Sequence, residues 1–472
     1  MTLKEKIYDF SPWRIKNLLV SVFNLQNLVQ RRTGNYRTYK KLHKKYESLD
    51  SNELASLQRE KFKAFIHHLL EKSDFYKQRL QGISLADEIN NLQSIPILEK
   101  DELRRNNHSI MTLPPSKGLS AFTGGTTGMP LKVVFTKDDF QERVAIIDNF
   151  RERYGYFYGK SKVAWFSGRK ILSKQDEKKK RFWRYDSVLR IRYYSTFHLS
   201  AKNKSYYIYD LSRFQPEYMS GFPSAMYDLA EYIESNGIES SLKIKAIFTT
   251  SETLLPYMRE RMERVFKCKV YDQYASGEGA PFIYECSEGK MHYSLPSGII
   301  EIVNGNNRPS KEGEMLVTSF TSYGTPLLRY RIGDFGVLSD TACSCGLKYP
   351  VFERIEGRSK DFIYSEQRGK LYNAQIGDIV KAEIRGMKNI QLIQETISKI
   401  TLNMVTTEGF KNEELELLIS KLEDRVGTEM EIEVNQVDNL IREESGKVKL
   451  IINNALEDIN ELLDMDKNLP TT

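Results

Sequence analysis

The sequence predicts an α/β protein in two parts. The first is a large N-terminal domain of several subdomains that mix sheets and helices; the second is a small α+β C-terminal domain. Three observations lead there. The chain has 472 residues, more than one hydrophobic core commonly serves. Its middle alternates helical and strand periodicity, the mark of βαβ units around a largely parallel sheet. Its last stretch carries a strand–helix–strand pattern of its own.

In chain order, residues 1–100 read as a helical, charged lead-in. SNELASLQREKFKAFIHHLLEK repeats apolar residues at helical spacing, with Ser51 as N-cap and Glu53 in the first turn. FPSAMYDLAEYIES reads as a helix, KIKAIFTT as a short buried strand, LLPYMRERMERVF as a helix and KVYDQY as a second strand. From Gly298 the pattern turns to alternating strands, GIIEIV, GEMLVTSF and PLLRYRI, separated by NGNNRP and SYGTP, which implies an antiparallel subdomain built on the first. A boundary falls near Gly357 and Arg358. Beyond it KITLNMVTT reads as a strand, NEELELLISKLEDRVG as a helix and EMEIEVNQV as a strand.

Apolar residues make up 40% of the chain, aromatics 11% and charged residues 28%, a globular composition and not a disordered one. A formal charge of +7 suits an anionic small substrate. No basic stripe interleaved with aromatics is present, so nucleic acid is not an expected partner. Near the N-terminus the longest apolar run, Leu18 to Phe23, is broken by Ser21 and ends at Asn24. That is far short of the ~20 residues of a bilayer span, and no signal-peptide pattern precedes it. The reading is an amphipathic helix packed on the body, with a basic membrane-surface helix marked by Trp13, Arg14 and Lys16 as the alternative. Four cysteines in so long a chain are no disulfide framework and imply a reducing, cytoplasmic setting.

The stretch SAFTGGTTGMPLK, Ser120 to Lys132, holds three glycines and three threonines. An ATPase P-loop needs lysine and a hydroxyl directly after its last glycine. Here Met129 and Pro130 follow Gly128, and the lysine waits until position 132. What remains is a run of backbone N–H groups and the hydroxyls of Thr123, Thr126 and Thr127, which can form an anion-binding nest or simply a solvated turn.

Further segments follow in order: TTSETLLP (249–256), YDQYASGE (271–278), LLRYRIGD (327–334), RIEGRSKD (354–361) and REESGKVK (442–449). Together with the TGGTTGMP loop, they resemble the adenylate-forming ligase superfamily. Within it the nearest likeness is to the CapK branch of the phenylacetate–CoA ligase family, shared by SGFPSAMYDLA, IFTTSETL, YECSEGKMHYS and IPILEKDELR. The resemblance implies that a carboxylate attacks the α-phosphate of ATP, giving an acyl-adenylate and pyrophosphate. The acyl group then passes to coenzyme A or to an amine or sugar acceptor, with a role in surface polysaccharide modification.

It also implies residue roles. Thr123, Gly124, Gly125, Thr126, Thr127 and Gly128 would grip the β- and γ-phosphates, with Lys132 beside them. Glu278 would hold Mg²⁺ in an oxygen shell. Asp334 would accept from the ribose hydroxyls, and Arg358 would bond ribose or phosphate. Ser251, Glu252, Asp272, Gln273 and Tyr274 would line the adenine. Lys447 would reach the α-phosphate and carboxylate as charge builds. Lys360 marks a hinge (358–361) between an adenylation domain (1–357) and a mobile lid (362–472). Gly221, Phe222, Pro223 and Ser224 would shape an acyl pocket that His198 could face.

Cys286 and His292 in YECSEGKMHY, with Cys343 and Cys345 in ACSCG, supply three thiolates and one imidazole, a tetrahedral Zn²⁺ set of the closed, structural kind. The same residues also suit buried thiols and a packed histidine; similar arrangements in the CapK branch favour zinc. Cys268 reads as a strand residue of the core. Four positions depart from the superfamily pattern: Ala275, Gly277, Ile332 and Leu131. Gly277 and Ile332 remove hydroxyls near phosphate and ribose. The alternative to a ligase is a decayed homologue acting as a zinc-stabilised binding protein.

Overall fold

A computed structural model of the chain describes residues 11–83, 89, 91–122, 131–169, 171–200, 202–358, 361–372, 376, 384–443 and 448–467. Strands β1 (Leu119–Phe122) and β2 (Lys132–Phe135) pair as an antiparallel hairpin across the glycine stretch. The twelve that follow are β3 (Val163–Ser167), β4 (Trp183–Asp186), β5 (Ile191–Ser195), β6 (Tyr218–Gly221), β7 (Ala246–Thr249), β8 (Lys269–Tyr274), β9 (Ile283–Glu285), β10 (Met291–Tyr293), β11 (Gly298–Val303), β12 (Glu312–Ser319), β13 (Tyr330–Leu338) and β14 (Val351–Arg358).

Among the described residues these twelve form one sheet in the order β11-β12-β13-β14-β10-β9-β8-β7-β6-β3-β5-β4. Strands β5, β3, β6, β7 and β8 run parallel. Strands β6 and β7 are buried at every residue, as parallel strands covered on both faces must be. The change of regime comes at β8, which pairs antiparallel with β9. That is earlier than the Gly298 boundary read from the sequence: β9 and β10 have three residues each, too few to show a period of two.

Helices pack on both parts. α1 (Trp13–Arg32) and α2 (Tyr36–Tyr46) lead in, and α3 (Ser51–Lys72) follows. The α3 N-cap is Asp50 and not Ser51. The Asp50 carboxylate accepts from the Asn52 and Glu53 amides, and Glu53 returns a bond to the Asp50 amide. A carboxylate one residue upstream lets Glu53 fall at the third helical position, which a capping box requires. α4 (Lys137–Glu152) is held to the lead-in by Arg32 and Tyr36, both bonded to Asp148. α5 (Pro223–Ser235) starts with proline at its first turn, where a missing N–H costs nothing. Just before it Gly221 has φ +132°, and a Cβ there would stand 1.8 Å from the Phe166 carbonyl oxygen. Glycine is the residue that this strand end admits.

The C-terminal part holds a hairpin, β15 (Phe362–Ser365) with β16 (Gly369–Tyr372), and a four-stranded sheet. Its strands are β17 (Met387–Thr396), β18 (Lys399–Thr406), β19 (Glu431–Gln436) and β20 (Ile451–Asn453), in the order β19-β18-β17-β20. α6 (Asn412–Val426) buries Leu418, Leu422 and Val426. Three contacts tie this part to α5 and its surroundings: Tyr227 Oη donates to the Lys388 carbonyl at 3.1 Å, the Val448 amide to Glu252 Oε1 at 3.1 Å, and Arg442 Nη2 meets Asp228 Oδ2 at 3.4 Å.

Candidate active site

In an open α/β sheet, ligands sit beyond the carboxyl ends of the strands, at a switch in topology. Here the switch is β8, and the motif residues gather at its end. Tyr274 closes β8, and its hydroxyl donates to Asp334 Oδ2 at 2.6 Å. Asp334 is the cross-strand partner of Arg358 between β13 and β14. Backbone register thus brings together two motifs that the sequence separates; the Arg358 side chain lies outside the described residues. Glu278, four residues past β8, is buried and receives Lys100 Nζ on Oε1 at 3.2 Å. Lys100 is placed by the preceding Leu98, whose backbone bonds Arg329 and Arg331 at 3.0 Å on either side of Tyr330.

Tyr330 is fully buried, and among the described residues its hydroxyl has no hydrogen-bond partner. Burial drives its pKa up, and the carboxylates of Glu278 and Asp334 push the same way. A buried hydroxyl left unpaired beside two acids costs stability unless something completes it. The loop carrying Glu278 is clamped from α4 by Arg143, whose Nη1 donates to the Gly279 and Ala280 carbonyls and to Thr321 Oγ1 at 2.8–3.1 Å. Two departures from the superfamily pattern have a packing reason: Leu131 and Ile332 are buried in the cluster that also holds Tyr330 and Phe135.

The adenine candidates lie at the ends of β7 and β8. Asp272 Oδ1 accepts from Thr249 Oγ1 at 2.6 Å and from the Gln273 amide at 2.9 Å. Burial raises the Asp272 carboxyl to about 6; Glu285 adds to the rise, while Thr249 and Arg259 oppose it. Gln273 Oε1 accepts from Arg151 Nε at 3.3 Å. Ser251 is exposed with φ +73°, a left-handed backbone uncommon for serine. Glu252 bridges the two parts of the chain, accepting from the Ser224 amide at 3.1 Å and from the Val448 amide at 3.1 Å.

At the acyl-pocket candidates, Phe222 and Pro223 join Gly221 to α5. Ser224 Oγ is buried with no partner among the described residues. His198 is held on both ring nitrogens: Nδ1 by Ser195 Oγ at 2.8 Å and Nε2 by Glu177 Oε1 at 3.0 Å. In this arrangement the ring offers no nitrogen to a substrate carboxylate. Lys132 opens β2, its carbonyl bonded by Asn107 Nδ2 at 2.7 Å. Thr123, Gly124, Gly125, Thr126, Thr127, Gly128, Lys360 and Lys447 lie outside the described residues. Lys100, Arg143 and Tyr330 are site residues that motif reading missed. Lys100 stands in the IPILEKDELR segment, but nothing local distinguishes its charge from a solvated one.

The cysteine–histidine set assembles as a candidate metal centre. Cys286 and His292 flank the β9–β10 turn, Cys343 and Cys345 sit in the β13–β14 loop, and β10 pairs with β14. Their ligand atoms all lie within 4.8 Å of one another. Cys286 Sγ is 3.6 Å from Cys343 Sγ, and Cys345 Sγ is 3.4 Å from His292 Nε2. Around a tetrahedral zinc the separations would be about 3.8 Å for sulfur–sulfur and about 3.5 Å for sulfur–nitrogen. His292 Nδ1 is 3.1 Å from the Tyr349 carbonyl, an outer contact that turns Nε2 toward the centre. Cys268 stands one residue before β8 instead of on it, packed against the main core.

Comparison with known proteins follows the same lines. Residues 363–454 match the CapK C-terminal domain. The chain is 32% identical over 455 residues to protein CapK of Staphylococcus aureus, covering 95% of this chain and 99% of that protein. It is 21% identical to the phenylacetate–coenzyme A ligase of Thermus thermophilus over 86% of this chain and 98% of that one. Among solved structures, 2-hydroxyisobutyryl-CoA ligase in the postadenylation state with 2-HIB-AMP superposes with a TM-score of 0.69 at 16% identity, covering 89% of this chain and 94% of that one.

Proposed function

The chain belongs to the CapK family, and on that footing we propose that it is an ATP-dependent, AMP-forming ligase. A carboxylic acid is activated as its acyl-adenylate with release of pyrophosphate, and the acyl group then passes to coenzyme A. The observation that carries this reading is the gathering of Glu278, Asp334 and the Tyr330 hydroxyl, unpartnered among the described residues, around the end of β8. Ligases of both kinds among the similar proteins, phenylacetate–coenzyme A and 2-hydroxyisobutyryl-CoA, support the substrate class.

Phosphoryl chemistry at such a site is mostly positioning and charge stabilisation. Asp334, fixed by Tyr274, orients the ribose. Glu278 is a buried carboxylate on the loop after β8, which fits Mg²⁺: that ion is held by one or two carboxylates plus substrate phosphates, and the glycine stretch between β1 and β2 would grip those phosphates. When bound, Mg²⁺ would screen the charge of the phosphates. Lys100, now on Glu278 at 3.2 Å, holds that carboxylate in place in the free enzyme. Residues 1–357 form the adenylation domain and 362–472 the lid, turning at 358–361 so that Lys447 approaches for the first half-reaction and withdraws for the second. The metal centre of Cys286, His292, Cys343 and Cys345 holds zinc in a structural role.

The test is carboxylate-dependent exchange of labelled pyrophosphate into ATP, screened over aromatic, fatty and hydroxy acids. AMP and not ADP is the expected product. Lys447→Ala should lower adenylate formation by about 10² to 10³, while acyl transfer from supplied acyl-adenylate survives. Equal loss of both steps would sink the two-conformation mechanism. Coenzyme A is the first acceptor arm, and an amine or sugar of a surface polysaccharide the second. No exchange with any acid would leave the zinc-stabilised binding protein as the reading.

A further inference from the structure

Helix α1 packs a largely polar face on the body, with Val20 and Leu28 half-buried among the polar groups. Its buried side chains are Lys16, Ser21 and Asn24. Lys16 Nζ donates to Ser173 Oγ at 2.7 Å, Asn24 Nδ2 to Asp186 Oδ2 at 2.8 Å, and Ser21 Oγ accepts from the Ser187 amide at 3.2 Å. These polar bonds fasten the helix to the β4 edge of the sheet. The opposite face carries Ile15, Leu18, Val22, Leu25 and Val29, all exposed, with Leu18 62%, Val22 57% and Phe23 beside them 61% open. At 100° per residue those five fall within an arc of about 80°, widened by Phe23 to about 160°. Polar packing therefore leaves a continuous apolar strip facing outward, larger than scattered surface residues would make.

We propose that this strip, with the basic segment that continues it, docks the protein on an anionic lipid surface. Charge decides the occupant. Residues 13–46 contain nine lysines and arginines and no aspartate or glutamate, more than the whole chain's formal +7. Arg32 and Lys40 are engaged with Asp148 and Glu152, but Arg14, Arg37, Lys41, Lys44 and Lys45 are exposed. A second copy meeting this helix would bring basic segment against basic segment. The strip's flanks also lack the acidic residues that coiled-coil pairing uses to fix partner and register. An apolar face on a segment with basic residues and no acid of its own matches a helix lying in the headgroup plane of a bilayer rich in acidic lipid. No described helix is long and apolar enough to cross a membrane, so the helix lies on the surface.

The experiment is flotation of the full chain with vesicles of phosphatidylcholine alone and of phosphatidylcholine with phosphatidylglycerol. Binding is expected only to the second, weakening as salt rises. The double substitution Val22→Glu, Phe23→Glu should weaken it by about tenfold or more, with an unchanged melting temperature because both side chains point away from the fold. Lys44→Glu with Lys45→Glu should weaken binding to anionic vesicles without exposing or removing any apolar group. No flotation with anionic vesicles, or equal flotation of the Val22/Phe23 variant, overturns the proposal. So does a dimer seen by light scattering that this variant dissolves in the absence of vesicle binding.

Discussion

Replacing Tyr274 with phenylalanine deletes one oxygen and leaves the ring in place, so it isolates the bond to Asp334. That bond is 2.6 Å long and runs to a carboxylate. Hydrogen bonds to charged groups contribute about 1.5–3 kcal/mol, which converts to about 10- to 150-fold in an equilibrium constant. If Asp334 holds the ribose, affinity for AMP and for adenosine should fall by a factor inside that range. The effect should be the same for both ligands, since the lost contact lies on the ribose and not on the phosphate. Isothermal titration calorimetry with AMP, adenosine and inorganic pyrophosphate measures this without knowledge of the carboxylic acid. Pyrophosphate binding should not change. Tyr274→Phe with unaltered AMP affinity, or with pyrophosphate weakened instead, would refute the placing of the ribose at Asp334.

Two further outcomes are expected. Purified protein should carry about one zinc per chain. Stripping it with a chelator, or substituting His292→Ala, should lower Tm by several degrees; a metal-free chain with unchanged Tm would exclude the centre. Asp272→Asn tests a half-buried acid. Its folded pKa of about 6 lies above the ordinary 3.8, so the folded state binds the proton more tightly. Stability is then lost as pH rises from about 4 to about 6, by up to about 3 kcal/mol. Asparagine keeps an oxygen for Thr249 and the Gln273 amide without the charge. Thermal melts should show the variant more stable than wild type at pH 8 and equal to it at pH 3.5.

Much of the parallel half was legible because each element declares itself locally. KVYDQY is β8 to the residue, and FPSAMYDLAEYIES holds α5 behind its proline. The residue types of Cys286, His292, Cys343 and Cys345 suited a zinc set or packed thiols, with the CapK resemblance favouring zinc, and the pairing of β10 with β14 puts the four together. The three-residue strands β9 and β10 were not legible, since they are shorter than the pattern that would reveal them. Ser51 read as the cap because serine is a good acceptor, but Asp50 is one too, and which of them caps turns on where Glu53 can reach back.

The sequence by itself determined the family, the order of the motifs and the residue types that chemistry would need, because glycines, acids and cysteines keep their spacing whatever lies between them. The tertiary structure decided the partners. Lys100 meets Glu278 across 178 residues, Glu252 meets Val448 across 196, and Lys16 turns inward to Ser173 across 157. No periodicity encodes such pairs, because a side chain's electrostatic environment is set by whichever strand the sheet places beside it. The outward apolar face of α1 follows from the same cause. Hydrophobic pattern says which face is apolar, but the polar sockets at Ser173, Asp186 and Ser187, together with the packing of Trp13, Val20 and Leu28, decide which face turns toward the body.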